Sequence, residues 1–224
     1  QRADTVQRVA AVADRLEETV GLSLGAARLR LTALPGVGVW TAAEVVQRDA
    51  AIDALEREVE AFCIRLLALR QPVGQDLRLV IAALKVCHGL ERIGDYARNA
   101  AKRAIVVAEQ PPLGSLNGFQ RMARMVQANL KDAIDALVND DAAKADEVWA
   151  NDEPVDEVYN GIFREMLTFM MEDPRNITAA THLLFVAKNL ERIGDHATNI
   201  AENVHYAATG EALPEGRPKR SEER

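Results

Sequence analysis

The pentapeptide ERIGD occurs twice in this chain of 224 residues, at positions 91–95 and 191–195. The identity extends further, since ERIGDYARN and ERIGDHATN differ at only two of their nine positions. Apolar residues at three- and four-residue spacing surround the first copy, which is the periodicity of an amphipathic α-helix. A long motif repeated at a fixed interval indicates that the chain consists of two related halves.

The composition favours helices packed on helices. Hydrophobic residues make up 48% of the chain but aromatic residues only 4%, so the core must be built from Leu, Val, Ile and Ala. Proline, glycine and aspartate interrupt the helical pattern at five places. We therefore predict an all-α fold of six helices, forming two tandem antiparallel three-helix bundles related by internal duplication. The breaks are expected near Pro35, Pro72, Pro111, Asp140 and Pro174.

The strongest break, EQPPLGSLNG, predicts where the two bundles are joined. We expect the first bundle over residues 1–109, a linker over 110–118 and the second bundle over 119–208. The polar residues 209–224 are expected to be a disordered tail.

One proline disturbs the symmetry of the halves. Pro154 lies inside the fifth helical segment, where the first half has Ala51. It should either kink that helix or mark a restart capped by Asp152 or Glu153.

Charge and cysteine content restrict the class of protein. The net charge of −7 disfavours binding to nucleic acid, because phosphate backbones would be repelled. The presence of only two cysteines fits a reducing compartment. The apolar runs are far shorter than the ~20 residues needed to span a membrane. We expect a cytoplasmic location without direct membrane insertion.

Acidic pairs mark each predicted helical hairpin. Glu91 and Asp95 stand four residues apart and share one helix face, and the preceding helix carries its own pair at the same spacing. Asp53 and Glu91 each lie nineteen residues from Pro72, so an antiparallel hairpin brings them level. The register repeats around Pro174 with offsets of eighteen and seventeen residues. A solvated acidic face remains the simplest alternative.

Four converging carboxylates would repel one another unless a cation compensated them. Carboxylate oxygens suit divalent or trivalent ions such as Fe, Zn, Mn or Mg. His88 is kept outside the direct ligands, and Tyr96 and His196 are interpreted as ordinary surface residues. The predicted metal ligands are Asp49, Asp53, Glu91 and Asp95 in the first half and Asp152, Asp156, Glu191 and Asp195 in the second.

Catalytic constellations are hard to find. A ferritin-like di-iron site needs ExxH on two helices, and only ENVH at 202–205 fits. LPGVGVW lacks the lysine of a phosphate-binding loop. We predict a non-catalytic regulator, and the alternative is a metal-handling or metal-dependent enzyme that uses the same carboxylate clusters.

Three stretches resemble the PhoU family of phosphate-uptake regulators: QRDAAIDALEREVE, RQPVGQDLRLVIAALKVCHGLERIGDYARNAAKRA and LERIGDHATNIAEN. The resemblance implies two three-helix bundles with multinuclear metal sites at the acidic pairs. It also implies a negative regulator of phosphate uptake and phosphate-starvation signalling, an adaptor between the phosphate ABC transporter ATPase and a sensor histidine kinase. Such a protein would reach the inner membrane through these partners. We also expect a homodimer.

Overall fold

The computed structural model describes residues 37–111, 113–114, 116–151 and 153–214, with side chains from residue 50 onward. All regular structure in these ranges is helical, which confirms the all-α prediction. The helices are α1 (Val37–Arg70), α2 (Gln75–Ala108), α3 (Asn117–Asn139), α4 (Ala142–Ala150), α5 (Glu153–Glu172) and α6 (Ile177–Thr209), with a 3₁₀ turn at Pro174–Asn176. None of the described helices is long and apolar enough to cross a bilayer.

The turn between α1 and α2 lies at the predicted proline. Gln71 and Gly74 both adopt positive φ, at 44° and 58°, on either side of Pro72. Proline cannot continue a helix, and glycine takes the left-handed region without steric cost. The chain therefore reverses within four residues, and α1 and α2 form an antiparallel hairpin.

Local capping also sets the break at Asp140. That residue ends α3 in the left-handed conformation with φ 55°. The next residue, Asp141, accepts a hydrogen bond from the backbone N of Lys144 at 3.0 Å and so caps α4. The interruption predicted at this position is confirmed.

Pro154 is the second residue of α5, because α4 ends at Ala150 and α5 begins at Glu153. The helix restarts there, which is one of the two expected alternatives, and the first turn of a helix tolerates proline. The second half therefore contains four α-helices instead of three. α4 and α5 both contact α3 and α6, so together they take the place of the middle helix of a three-helix bundle. The first helix expected for the first bundle, and the break near Pro35, lie outside the described residues.

The two ERIGD helices, α2 and α6, run antiparallel against each other along their length. A Cβ added at Gly89 would lie 3.4 Å from Cγ1 of Ile200, so the backbones approach closely. At the other end of this contact, Arg103 on α2 lies beside His182 on α6, with 3.2 Å between their nitrogens. Both helices carry many small buried residues, which permit close packing of their neighbours: Ala82, Ala83, Ala97, Ala100, Ala101, Ala180, Ala187, Ala197 and Ala201.

This α2–α6 interface merges the cores of the two halves into one. The buried apolar cluster includes residues of all six described helices. Ile93 and Gly94 are buried in the first ERIGD, as are Ile193 and Gly194 in the second. Each pentapeptide thus contributes its apolar pair to the shared core and leaves its Glu and Asp half-buried at the helix surface.

The last helix ends as its sequence suggests. Gly210 follows Thr209 in the left-handed conformation with φ 81°, which is the usual glycine C-cap. Residues 211–214 continue without helix, and the remainder of the predicted tail lies outside the described part of the chain.

Candidate metal sites

The first acidic cluster joins α1 to α2 through three potential metal ligands. One donor atom each from Glu56, His88 and Glu91 lies within 4.8 Å of the others. His88 Nδ1 stands 3.3 Å from Glu56 Oε1. Both residues lie sixteen positions from Pro72, so this pairing follows the register predicted for the hairpin.

Glu56 was missed by the sequence analysis, and His88 was kept outside the direct ligands. Neither position carries an acidic residue in both halves, which was the pattern that defined the predicted ligands. Where the first half has His88, the second half has Lys188, three residues before its own ERIGD glutamate. The sequence feature that could have identified this pair is the equal distance of Glu56 and His88 from Pro72.

The two ERIGD acids of the first half have different surroundings. Burial raises the pKa of Glu91, and the neighbouring charges of Asp95 and Glu56 raise it further. Asp95 is compensated on its own helix, since Arg98 Nη2 lies 2.5 Å from its Oδ1. Asp53 is half-buried on α1, and the side chain of Asp49 lies outside the described part of the structure.

The second acidic cluster joins α5 to α6. Burial, followed by the charges of Glu191 and Asp156, raises the pKa of Asp195 to about 6. Burial and the charge of Glu191 likewise raise the pKa of Asp156. Three of the predicted carboxylates therefore lie within electrostatic reach of one another, while Asp152 lies outside the described residues.

Lys188 introduces a positive charge into this second cluster. Its Nζ lies 2.6 Å from Glu191 Oε1 and 5.3 Å from the centre of the Tyr159 ring. The other carboxylate oxygen, Glu191 Oε2, is buried and has no hydrogen-bond partner among the described residues. One oxygen of Glu191 is thus paired with Lys188, and the other has no hydrogen-bond partner among the described residues.

Tyr96 and His196 are not the ordinary surface residues expected from the sequence. Both are half-buried where α2 meets α6, with ring centres 5.5 Å apart. Burial lowers the pKa of His196, and the nearby charges of Arg92 and His88 lower it further. The expectation failed because the contact depends on which helices pair between the halves.

An open groove of about 670 Å³ runs between α2 and α6 beside the first cluster. Lys85, His88, Asn199 and Asn203 line it, and residues 212–214 form part of its wall. The His88 side chain is 61% exposed. Ions can therefore reach His88 directly from solvent.

The ENVH segment contributes to packing within the second half. His205 Nδ1 lies 2.6 Å from Asp146 Oδ1 on α4. Glu202 accepts a hydrogen bond from Trp149 Nε1 at 3.1 Å. Its two potential ligands therefore contact different partners on α4.

The donor atoms of the first cluster fit a bound metal ion. Imidazole nitrogen with two carboxylates is a donor set that Zn, Fe or Mn accept. Burial and the charges of Asp95 and Glu56 raise the pKa of Glu91, so a cation bound beside it would favour its ionised form. The second cluster offers oxygen donors only, among them Glu191 Oε2, which has no hydrogen-bond partner among the described residues.

Comparison with known proteins agrees with the duplicated architecture. The family model described as PhoU domain matches twice, at residues 13–104 and 119–204. A Caulobacter vibrioides protein named phosphate-specific transport system accessory protein PhoU homolog is 55% identical over 176 residues, covering 78% of this chain and 76% of the relative. A Rhizobium meliloti protein of the same name is 42% identical over 207 residues, covering 92% and 87%.

Solved structures show the same fold. The crystal structure of PhoU from Pseudomonas aeruginosa has a TM-score of 0.85 at 36% identity, covering 93% of this chain and 97% of that one. A phosphate transport system regulatory protein PhoU from Streptococcus pneumoniae has a TM-score of 0.83 at 28% identity, covering 95% and 97%. The internal duplication inferred from the two ERIGD motifs is confirmed by the two domain matches.

Proposed function

The chain belongs to the PhoU family, and from this premise we propose that it is a negative regulator of phosphate uptake and phosphate-starvation signalling. The observation that carries the proposal is the 55% identity, over 78% of the chain, to a relative named as an accessory protein of phosphate-specific transport. The name of the Streptococcus pneumoniae structure, a regulatory protein of the phosphate transport system, supports the same role.

The regulator would act as a non-catalytic adaptor. Its proposed partners are the ATPase of the phosphate ABC transporter and a sensor histidine kinase, and it would form a homodimer. The net charge of −7 disfavours direct attachment to anionic lipid. Protein partners would therefore hold it at the cytoplasmic face of the inner membrane.

Metal ions would brace the two hairpins of this adaptor. The proposed ligands remain the eight acidic residues, Asp49, Asp53, Glu91, Asp95, Asp152, Asp156, Glu191 and Asp195, now joined by Glu56 and His88. A bound Fe, Zn, Mn or Mg ion would supply positive charge between helices that otherwise present like charges to each other. Because the first site includes α1 and α2, an ion there would fix the relative position of those helices.

Gene replacement tests the regulatory role. In Caulobacter vibrioides, the gene for the 55% identical relative would be replaced by the gene for this chain. A phosphate-starvation reporter should stay repressed in high phosphate, as in the parent strain, and should be derepressed in the deletion strain. Derepression despite normal amounts of the replacement protein would contradict the proposal.

A second strain separates metal binding from regulation. The variant Glu56→Gln with Glu91→Gln removes two carboxylates of the first cluster, and Glu58→Gln with Glu60→Gln alters two exposed glutamates of the same helix as a control. If metal at the first site serves regulation, the reporter should be derepressed only in the first variant. Equal repression in both variants would show that regulation does not need this site.

A further inference from the structure

Positions 88 and 188 are equivalent in the two repeats, yet they carry side chains of opposite chemistry. Each stands three residues before the glutamate of its ERIGD motif. His88 can donate an electron pair to a metal ion, whereas Lys188 carries its own positive charge. This single difference alters what each cluster can bind.

In the first cluster, position 88 adds a ligand. The donor atoms of His88, Glu56 and Glu91 converge within 4.8 Å, a spacing that one ion could bridge. The short cation contact of this half is that of Arg98 with Asp95, one turn away from that group. Glu91 has only a long contact with a cation, 3.8 Å between its Oε2 and Arg92 Nε, so it still has an oxygen to offer beside His88.

In the second cluster, position 188 carries a cation that pairs with the ERIGD glutamate. Lys188 Nζ lies 2.6 Å from Glu191 Oε1, and its 5.3 Å approach to the Tyr159 ring holds it on α5 as well as α6. Position 198, the counterpart of Arg98, is an uncharged threonine whose hydroxyl donates to the Gly194 carbonyl at 3.2 Å. The short ion pair therefore involves the Asp of ERIGD in the first repeat and the Glu of ERIGD in the second.

We infer that the two clusters are unequal metal sites. The first binds a transition-metal ion through Glu56, His88 and Glu91, and in the second the Lys188 ammonium takes the place of an ion at Glu191. The inference rests on the metal binding proposed above and adds which site is filled and which residue decides it. The first cluster therefore holds one transition-metal ion tightly, and the second binds ions more weakly.

The experiment counts zinc on the full-length protein. The chain is stripped with EDTA, loaded with excess Zn²⁺ and desalted, and zinc is measured by elemental analysis. Affinity is measured by competition with a chromogenic chelator. The parent should retain about one zinc per chain, because three protein ligands and a water complete a tetrahedral site. His88→Gln should weaken binding by at least about tenfold.

The reverse exchange tests position 188. Lys188→His should allow the second cluster to retain a further zinc ion, since it supplies a nitrogen ligand and removes the ammonium. Lys131→His is the matched control, because Lys131 also pairs with a carboxylate, at 3.4 Å, but at an exposed position of α3. That control should retain the same zinc as the parent.

A second variant tests Lys188 independently, in case Lys188→His fails to fold. Lys188→Met removes the charge without adding a ligand, so the metal-free protein should melt at a lower temperature than the parent. Added Mn²⁺ should restore the melting temperature more in this variant than in the parent. An unchanged response to Mn²⁺ would overturn the role of Lys188.

Two further outcomes would reject the inference in distinguishable ways. Two equally tight zinc ions on the parent would show that the sites are equal while leaving the proposed metal binding intact. No zinc on the parent would overturn both the inference and the proposed metal binding.

Discussion

The rings of Tyr96 and His196 lie 5.5 Å apart, although the two residues occupy the same position in different repeats. Each directly follows its ERIGD motif, and the contact joins α2 to α6. Two equivalent residues can meet in this way only if the repeats face each other about an approximate two-fold axis. The pair therefore lies close to that axis.

Double-mutant analysis should detect coupling across this contact. Tyr96→Ala and His196→Ala should each lower the free energy of unfolding, and their interaction energy should be about 0.5–1.5 kcal/mol, as for other aromatic pairs. Urea denaturation of both single variants and the double variant measures it. Tyr206→Ala is the control, since Tyr206 is 41% exposed on α6 and should not couple to His196. Strict additivity at positions 96 and 196 would contradict the contact.

Removing one charge from the first cluster should separate stability from metal binding. Burial, Asp95 and Glu56 raise the pKa of Glu91, so its charge is unfavourable in the metal-free fold. Glu91→Gln should therefore be at least as stable as the parent after chelation, while losing the stabilisation that added Zn²⁺ gives. Thermal melts with EDTA and with Zn²⁺ test this against Glu58→Gln on α1. A large loss of stability in the chelated Glu91 variant would refute the explanation.

The second cluster should make the metal-free protein sensitive to pH. The pKa of Asp195 is raised from 3.8 to about 6 in the fold, so the folded state holds the proton more tightly than the unfolded state. Stability should therefore fall as pH rises between about 4 and 6. After allowance for partial exposure, the effect is on the order of 1 kcal/mol.

Asp195→Asn provides the test of that pH dependence. The variant should show a smaller decline in unfolding free energy between the same pH values, measured by urea denaturation in EDTA. Its stability should exceed that of the parent most clearly at pH 7. An equal decline in both proteins would assign the effect to other groups.

The two cysteines should be nearly inert while the protein is folded. Cys63 and Cys87 are both free and buried, and burial with the charges of Glu56, Cys63 and Glu60 raises the pKa of Cys87 to about 12. Because the thiolate is the reactive form, a chromogenic disulfide reagent at pH 8 should react slowly. Addition of urea should release both thiols at once. Rapid reaction of the native protein would mean that α1 separates readily from α2.

Two glycines should respond oppositely to substitution. Beyond its own helix, no described atom lies within 4 Å of a Cβ at Gly161, so Gly161→Ala on α5 should raise stability by about 0.5–1 kcal/mol through helix propensity alone. Gly89 faces Ile200 across the α2–α6 interface, so Gly89→Leu should overpack it and cost about 1–3 kcal/mol. Chemical denaturation measures both. Stabilisation by Gly89→Leu would contradict the close approach of these helices.

Local features of the fold could be read from the sequence because they depend on neighbouring residues. Pro72 and the periodicity of the flanking helices were sufficient to predict the hairpin register, which the contact between Glu56 and His88 follows. The restart at Pro154 was one of two stated alternatives, since chain chemistry alone does not choose between a kink and a new helix.

Contacts between the repeats could not be predicted in the same way. Nothing local to Tyr96 or His196 indicates that α2 lies against α6, since that pairing depends on the packing of both halves. Glu56 was missed for a different reason, because only acidic residues at matching positions of both repeats were expected to bind metal. The inferred difference in metal binding between the two clusters depends on a position where the repeats differ, His88 and Lys188.

The α2–α6 interface has the symmetry of a contact between two identical subunits. Arg103 stands over the Phe185 ring at 4.6 Å on one side, and the equivalent positions, Asn203 and Lys85, line the same groove on the other. In a homodimer such reciprocal contacts define an isologous interface. The arrangement is the one that covalent fusion of a dimer of single repeats would produce. Fusion frees each half to change independently, so that one ancestral residue could become a histidine in one copy and a lysine in the other.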